Sequence, residues 1–307
     1  MRRFVDKLLF ALNTTLYHSF FFVASFLSRP LAFRVALQVG GLSFRHRRAR
    51  LRPFQSNLEK VLRVSPEQAA ACLRRIFEFT AFEILEMYLF TRLTRQEVSR
   101  LIQIRGLENL KFALARSRGA ILSCGHFRSL QTFAFALGLH GYKLNIVGRM
   151  SMPYARPVER WFYERRLERM QQKSACHLLS IQADNFGVAV KATNALGRNE
   201  VLLISVDTSY TNHNIDVRFL NAQVPFPLGP ALIAQTSRAP LLNLFMYREN
   251  PSAPLIAEIG APFYASDDLA ATTQRCASWL EERILEHPES WTLWLAPEWY
   301  LWKTQNA

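Results

Sequence analysis

The apolar positions change texture twice along the chain. Leu8 to Phe26 contains no Asp, Glu, Lys or Arg, and Leu27 extends the run. About twenty such residues are enough to cross a bilayer core. Asn13, Thr14, Thr15, His18 and Ser19 dilute the run, and two arginines and a lysine precede it. No small-x-small cleavage site follows "FFFVASFLSRP", so the segment is expected to stay in place as a membrane helix over residues 1–29. The competing reading is a buried helix of a soluble domain. Helical patterning then dominates to about Arg116, and "SPEQAAACLRRIFEFTAFEILEMYLF" opens with Ser65 as N-cap and Pro66 at the first helical position. From Arg118 the pattern alternates. Apolar runs of strand length (Ala120–Cys124, Leu144–Gly148, Val201–Val206, Leu241–Tyr247, Leu255–Ile259) are separated by helical stretches. This predicts an α/β fold, a mixed sheet flanked by helices. A last helix is expected from about Asp268 to Glu286, ending at His287-Pro288. No repeat or Pro/Gly-rich linker interrupts the chain, so residues 30–307 are expected to form one α/β domain behind the anchor.

Charge adds a direction to this picture. The 307 residues carry 38 basic and 24 acidic side chains, a net charge of +14. Such a surface suits nucleic acid, an anionic membrane or an acidic carrier protein. No zinc-finger spacing, RNA-recognition signature or basic zipper is present, so nucleic acid is not expected as a partner. The dense stretch "RHRRARLR" (Arg45 to Arg52) suits anionic lipid headgroups, unless it is a solvated loop. By the positive-inside rule it places the downstream domain on the cytoplasmic side of the membrane. Cys72, Cys124, Cys176 and Cys276 form no CxxC pair, which speaks against structural zinc and a disulfide framework.

The candidate chemistry lies in "SCGHFRSLQ", Ser123 to Gln131. The chain has no Walker loop, no GxGxxG after a strand, no GxSxG and no HExxH. What stands out is His126, at the tip of an apolar strand and just before a helix, where open α/β sheets keep their chemistry. The positive potential of the helix N-terminus would lower its pKa and keep it neutral, as a general base requires. Alternatively, His126 merely satisfies a backbone group there. Cys124, inside the expected strand, reads as a core residue rather than a nucleophile.

The segment "IRGLENLKFALARSRGAILSCGHFRSLQ" resembles the core of the lipid A biosynthesis acyltransferase family, within the glycerolipid (lysophospholipid) acyltransferase-like enzymes. The resemblance continues in "NLEKVL" at Asn57, "VGRM" around Arg149, "LLISVDTS" around Asp207, "VPFPLGPALIAQTSRAPLL" from Val224 and "HPESWTLWL" near the end. It covers essentially the whole chain. It implies transfer of an acyl chain from a carrier thioester, on acyl carrier protein or coenzyme A, to a hydroxyl or amine of a lipid or other amphipathic acceptor. It implies no metal or bound organic cofactor. In such enzymes the histidine takes the proton from the acceptor, and an acid five positions later orients the ring and stabilises the imidazolium.

Here that acid is missing, and Gln131 stands in its place. Five residues along a regular helix turn about 500°, so the two side chains would point roughly 140° apart. They meet only if the histidine precedes the helix. Glutamine can orient the ring but brings no charge. Three readings follow: another carboxylate supplies the charge, with Asp207 at the end of an expected strand as the candidate; a weaker base suffices for a more acidic acceptor; or the protein is an inactive lipid- or carrier-binding homologue. Arg149 matches the family's arginine and is expected to contact a phosphate or the thioester side. Arg128, where the family commonly has a small residue, reaches an anionic substrate or caps the sheet edge. The cluster Trp291, Trp294, Trp299 and Trp302 reads as packing rather than a ligand site, and "LAPEW" departs from the family.

Overall fold

The computed structural model describes residues 16–89, 92–148, 161, 164–165, 168–169, 171–181, 185–208, 213–250 and 253–295. Its helices are α1 (Arg29–Arg47), α2 (Arg52–Leu62), α3 (Pro66–Leu89), α4 (Arg95–Leu101), α5 (Leu107–Leu114), α6 (Leu130–Leu139), α7 (Asn185–Gly197), α8 (Gly229–Ser237) and α9 (Leu269–Glu286). The strands are β1 (Ile102–Arg105), β2 (Ala120–Cys124), β3 (Leu144–Gly148), β4 (Cys176–Ser180), β5 (Val201–Ser205), β6 (Asn214–Phe219), β7 (Ala222–Pro227), β8 (Leu241–Tyr247) and β9 (Leu255–Ile259). Among the described residues, β1-β9-β8-β2-β5-β3-β4 form one sheet, parallel except for the antiparallel pair β8–β9.

The central strand β2 reads "AILSC", and every one of its residues is buried. That continuous apolar run is what a strand covered on both faces requires. From β2 the chain crosses to β3 on one side, whereas β8 joins β2 on the other. The direction of winding therefore changes at the carboxyl ends of β2, β5 and β8, where open sheets form their crevice. Leu220 and Asn221 join β6 to β7, both with positive φ, the two-residue turn that matches strand twist. This hairpin is tied to α9, since Gln274 accepts from the Arg218 amide at 2.8 Å and donates to its carbonyl at 2.9 Å.

Helix α3 starts where the sequence places it. Ser65 Oγ accepts from the Gln68 amide, and Gln68 Oε1 accepts from the Ser65 amide at 2.9 Å, a reciprocal cap. Against α3 lies α1, through a seam of Ala32, Ala36 and Gly40. A Cβ on Gly40 would stand 2.5 Å from the Glu78 Cα, so only glycine permits this approach.

The N-terminal run departs from expectation. Residues 16–24 are helical, but the chain breaks over residues 25–28 and turns at Arg29-Pro30 into α1. Ser25 Oγ donates to the Phe22 carbonyl at 2.6 Å, and Phe21 and Ala24 pack on Phe82, Leu85 and Leu89 of α3. No helix among the described residues is long and apolar enough to cross a membrane. The first half of the expected anchor, residues 1–15, lies outside the described residues.

Candidate active site

Strand β2 delivers Gly125 and His126 to the crevice, and β5 delivers Asp207 beside them. The Asp207 side chain is fully buried, while that of His126 is 30% exposed. His126 Nδ1 lies 2.6 Å from Asp207 Oδ1. An ionised carboxylate only accepts, so Nδ1 carries the proton and the neutral ring keeps Nε2 as its acceptor. The other carboxylate oxygen accepts from the His126 amide at 2.7 Å and from Trp291 Nε1 at 2.8 Å. Gly125 makes room for it: a Cβ there would meet Asp207 Oδ2 at 3.0 Å and Leu280 Cδ1 at 2.9 Å.

The segment after α9 closes the loop from behind. The Thr292 amide and hydroxyl both donate to the His126 carbonyl, at 2.9 and 2.8 Å. The Arg128 amide donates to the Ser290 carbonyl at 3.2 Å. Trp291 and Thr292 are contacts of Asp207 and the His126 loop that sequence reasoning missed, because a tryptophan-rich stretch reads as packing. The "HPESWTLWL" resemblance was the signal that marked them.

Burial opposes charge on His126, but the adjacent Asp207 carboxylate outweighs it and holds the imidazole above its ordinary pKa of 6.5. The helix-dipole expectation of a lowered pKa therefore fails here, because a direct ion pair exceeds a dipole end. Burial also opposes ionisation of Asp207. Attraction to His126 and three donated hydrogen bonds overcome this and hold it below the usual carboxylate value. Cys124 is buried, and burial pushes its thiol up to about 12, as suits a core residue.

Gln131 is the second residue of α6 and half-buried, with His126 ahead of the helix. Arg128 is buried, and its guanidinium turns back to α3, bonding Thr80 Oγ1 and lying 3.8 Å from Glu83 Oε2. Its Nε has no hydrogen-bond partner among the described residues. Trp294 packs edge-on against Trp291 at 4.8 Å. Arg149, Trp299 and Trp302 lie outside the described residues.

A phosphatidylinositol mannoside acyltransferase of Mycobacterium tuberculosis is 25% identical over 202 residues, covering 64% of this chain and 59% of that protein. The chain thus matches less than two thirds of that relative's length. The family model for bacterial lipid A biosynthesis acyltransferases matches residues 5–301. With the match running through the His126 loop, β5 and the Trp291 segment alike, the chain belongs to the bacterial lipid A biosynthesis acyltransferase family.

Proposed function

We propose that this protein transfers an acyl chain from a carrier thioester, on acyl carrier protein or coenzyme A, to a hydroxyl or amine of an amphipathic lipid acceptor. The observation that carries the reading is the His126–Asp207 pair at the switch point of the sheet, with Nδ1 committed to a buried carboxylate and Nε2 left as base. In the reaction the acceptor proton passes to Nε2 as the acceptor oxygen or nitrogen bonds to the thioester carbonyl carbon. The C–S bond then breaks, and the imidazolium returns its proton to the leaving thiolate. Asp207 provides the charge that Gln131 lacks and stabilises the imidazolium. Gln131 stands in the first turn of α6, which follows the His126 loop. Arg149 serves as an anion contact, whereas Arg128 turns its guanidinium to Thr80 and Glu83 of α3 and holds the loop rather than the substrate.

In this reading the protein works at the cytoplasmic face of a bacterial inner membrane. Support comes from the exposed apolar side chains Leu16, Phe20, Val23, Phe26, Leu27 and Leu31 around the N-terminal turn, and from the basic stretch at Arg45 to Arg52. Apolar residues beside a basic run form an interfacial surface. The basic face also suits an acidic carrier protein.

The test is transfer of a radiolabelled acyl group from coenzyme A or carrier thioester to bacterial membrane lipids, with thiol release as a second readout. His126→Ala is expected to lose roughly 10²–10⁴ in rate, with a melting temperature within a few degrees of wild type. Transfer at the wild-type rate by that variant removes His126 from the mechanism. Wild-type protein that binds carrier thioester without any transfer identifies a binding homologue instead.

A further inference from the structure

We propose that the buried Glu86–Arg248 pair is a positioning device for the His126 loop, acting through Ser129. The inference rests on the catalytic reading of His126 given above. Ser129 is the N-cap of α6, with a left-handed backbone at φ 61 and ψ 20. A serine at this position ordinarily turns its hydroxyl onto its own helix. Here it makes no such cap. Its Oγ donates to Glu86 Oε2 at 3.0 Å, and its amide donates to Glu83 Oε1 at 3.2 Å. Both donors of the residue are thus spent on α3.

The other Glu86 oxygen takes Arg248 Nη2, and Arg248 Nη1 donates to the Ala253 carbonyl at 2.6 Å. The Glu86 and Arg248 side chains are only 1% and 7% exposed. A buried ion pair contributes little to stability beyond what apolar side chains of the same volume would give. What apolar side chains could not do is accept the Ser129 hydroxyl. The loop from Gly125 to Ser129 is therefore held at three points. Asp207 holds the His126 amide, Ser290 and Thr292 hold the Arg128 amide and the His126 carbonyl, and α3 holds Ser129. Glu86 fixes the last of these, and with it the start of α6 three residues beyond the base.

Removing one partner alone leaves a buried charge uncompensated and endangers the fold. The test therefore uses the double replacement Glu86→Leu/Arg248→Met in the full chain, with Ser129→Ala as an independent variant. The double variant is expected to melt at or near the wild-type temperature. Its kcat for thiol release from palmitoyl-coenzyme A should fall roughly tenfold to hundredfold, the scale of a displacement of about 1 Å, while KM stays within about twofold if the loss lies in positioning. Ser129→Ala should show a similar loss alone and no further loss in the double background, as coupled residues do. Wild-type kcat in the stable double variant, or losses that multiply, overturns the proposal. Hydrogen exchange tests it without any activity: the Arg128 and Ser129 amides should lose protection while the β2 and β5 amides keep theirs. Unchanged protection at both amides overturns it as well. Absence of transfer by wild-type protein speaks only against the catalytic reading, and the exchange result then decides this one.

Discussion

Asp207→Asn tests the site most sharply, because the shape is kept and only the hydrogen-bond pattern changes. The native carboxylate receives three donors: the His126 Nδ1 proton, the His126 amide and Trp291 Nε1. An asparagine has one oxygen and one NH2 group in place of two oxygens. If its NH2 group faces the His126 amide and Trp291 Nε1, three buried donors meet head-on. The satisfied arrangement places the oxygen there and turns the NH2 group toward Nδ1. Nδ1 must then accept, the ring proton moves to Nε2, and the base is blocked. The analogous change in a serine-protease triad lowers the rate about 10⁴-fold, or about 5.4 kcal/mol at 1.36 per factor of ten. Thiol release from an acyl thioester at saturating acceptor measures it.

The same variant carries a pH signature. In wild type the His126 pKa is raised, so the rate should climb with pH through a midpoint above 6.5. Without the carboxylate only burial acts, and the midpoint should move below 6.5. Stability follows the same signs. The raised His126 contributes fully below its unfolded value of 6.5, and the depressed Asp207 contributes above its unfolded value of 3.8. The pair therefore stabilises most between those limits, and the variant's melting profile should lose that maximum. A variant that transfers within tenfold of wild type with an unmoved pH midpoint refutes the assignment of Asp207.

Gln131→Glu should leave turnover at neutral pH unchanged or lower it, because a carboxylate in the first turn of α6 would add to a negative charge that Asp207 already supplies; a clear rise would mean that Asp207 does not supply the working charge. Trp291→Phe removes one donor to a buried carboxylate, worth about 1.5–3 kcal/mol, so the thiol-release rate should fall about tenfold or more, and a wild-type rate would show that this bond is packing alone. Val23→Ser/Phe26→Ser removes two side chains that are 65% and 67% exposed. At about 1.5 kcal/mol for each apolar side chain buried, partition into anionic phospholipid vesicles should weaken about 10²-fold, and unchanged flotation would put the membrane surface elsewhere.

Much of the fold was determined by local sequence. Four apolar runs became β2, β3, β8 and β9 with the limits read from the chain, and the fifth became β5, ending one residue early. A strand buried on both faces must be apolar throughout, and that is visible without a partner. β1, β4 and the β6–β7 hairpin were not legible. Their burial alternates or runs out along the strand, as in β6, so their periodicity competes with helix and loop. The N-terminal run reads as a membrane helix from composition, yet residues 16–24 pack on α3. Only tertiary contact distinguishes an apolar face turned to protein from one turned to lipid. His126 was evident from its place between strand and helix. Asp207 could be named only within one of three readings, because it lies 81 positions away, and Trp291 a further 84. Parallel pairing of β2 with β5 brings the carboxylate to the ring, and the segment after α9 brings the indole. Sequence alone determined that a histidine stands at the end of β2; which carboxylate pairs with it was decided by the strand order.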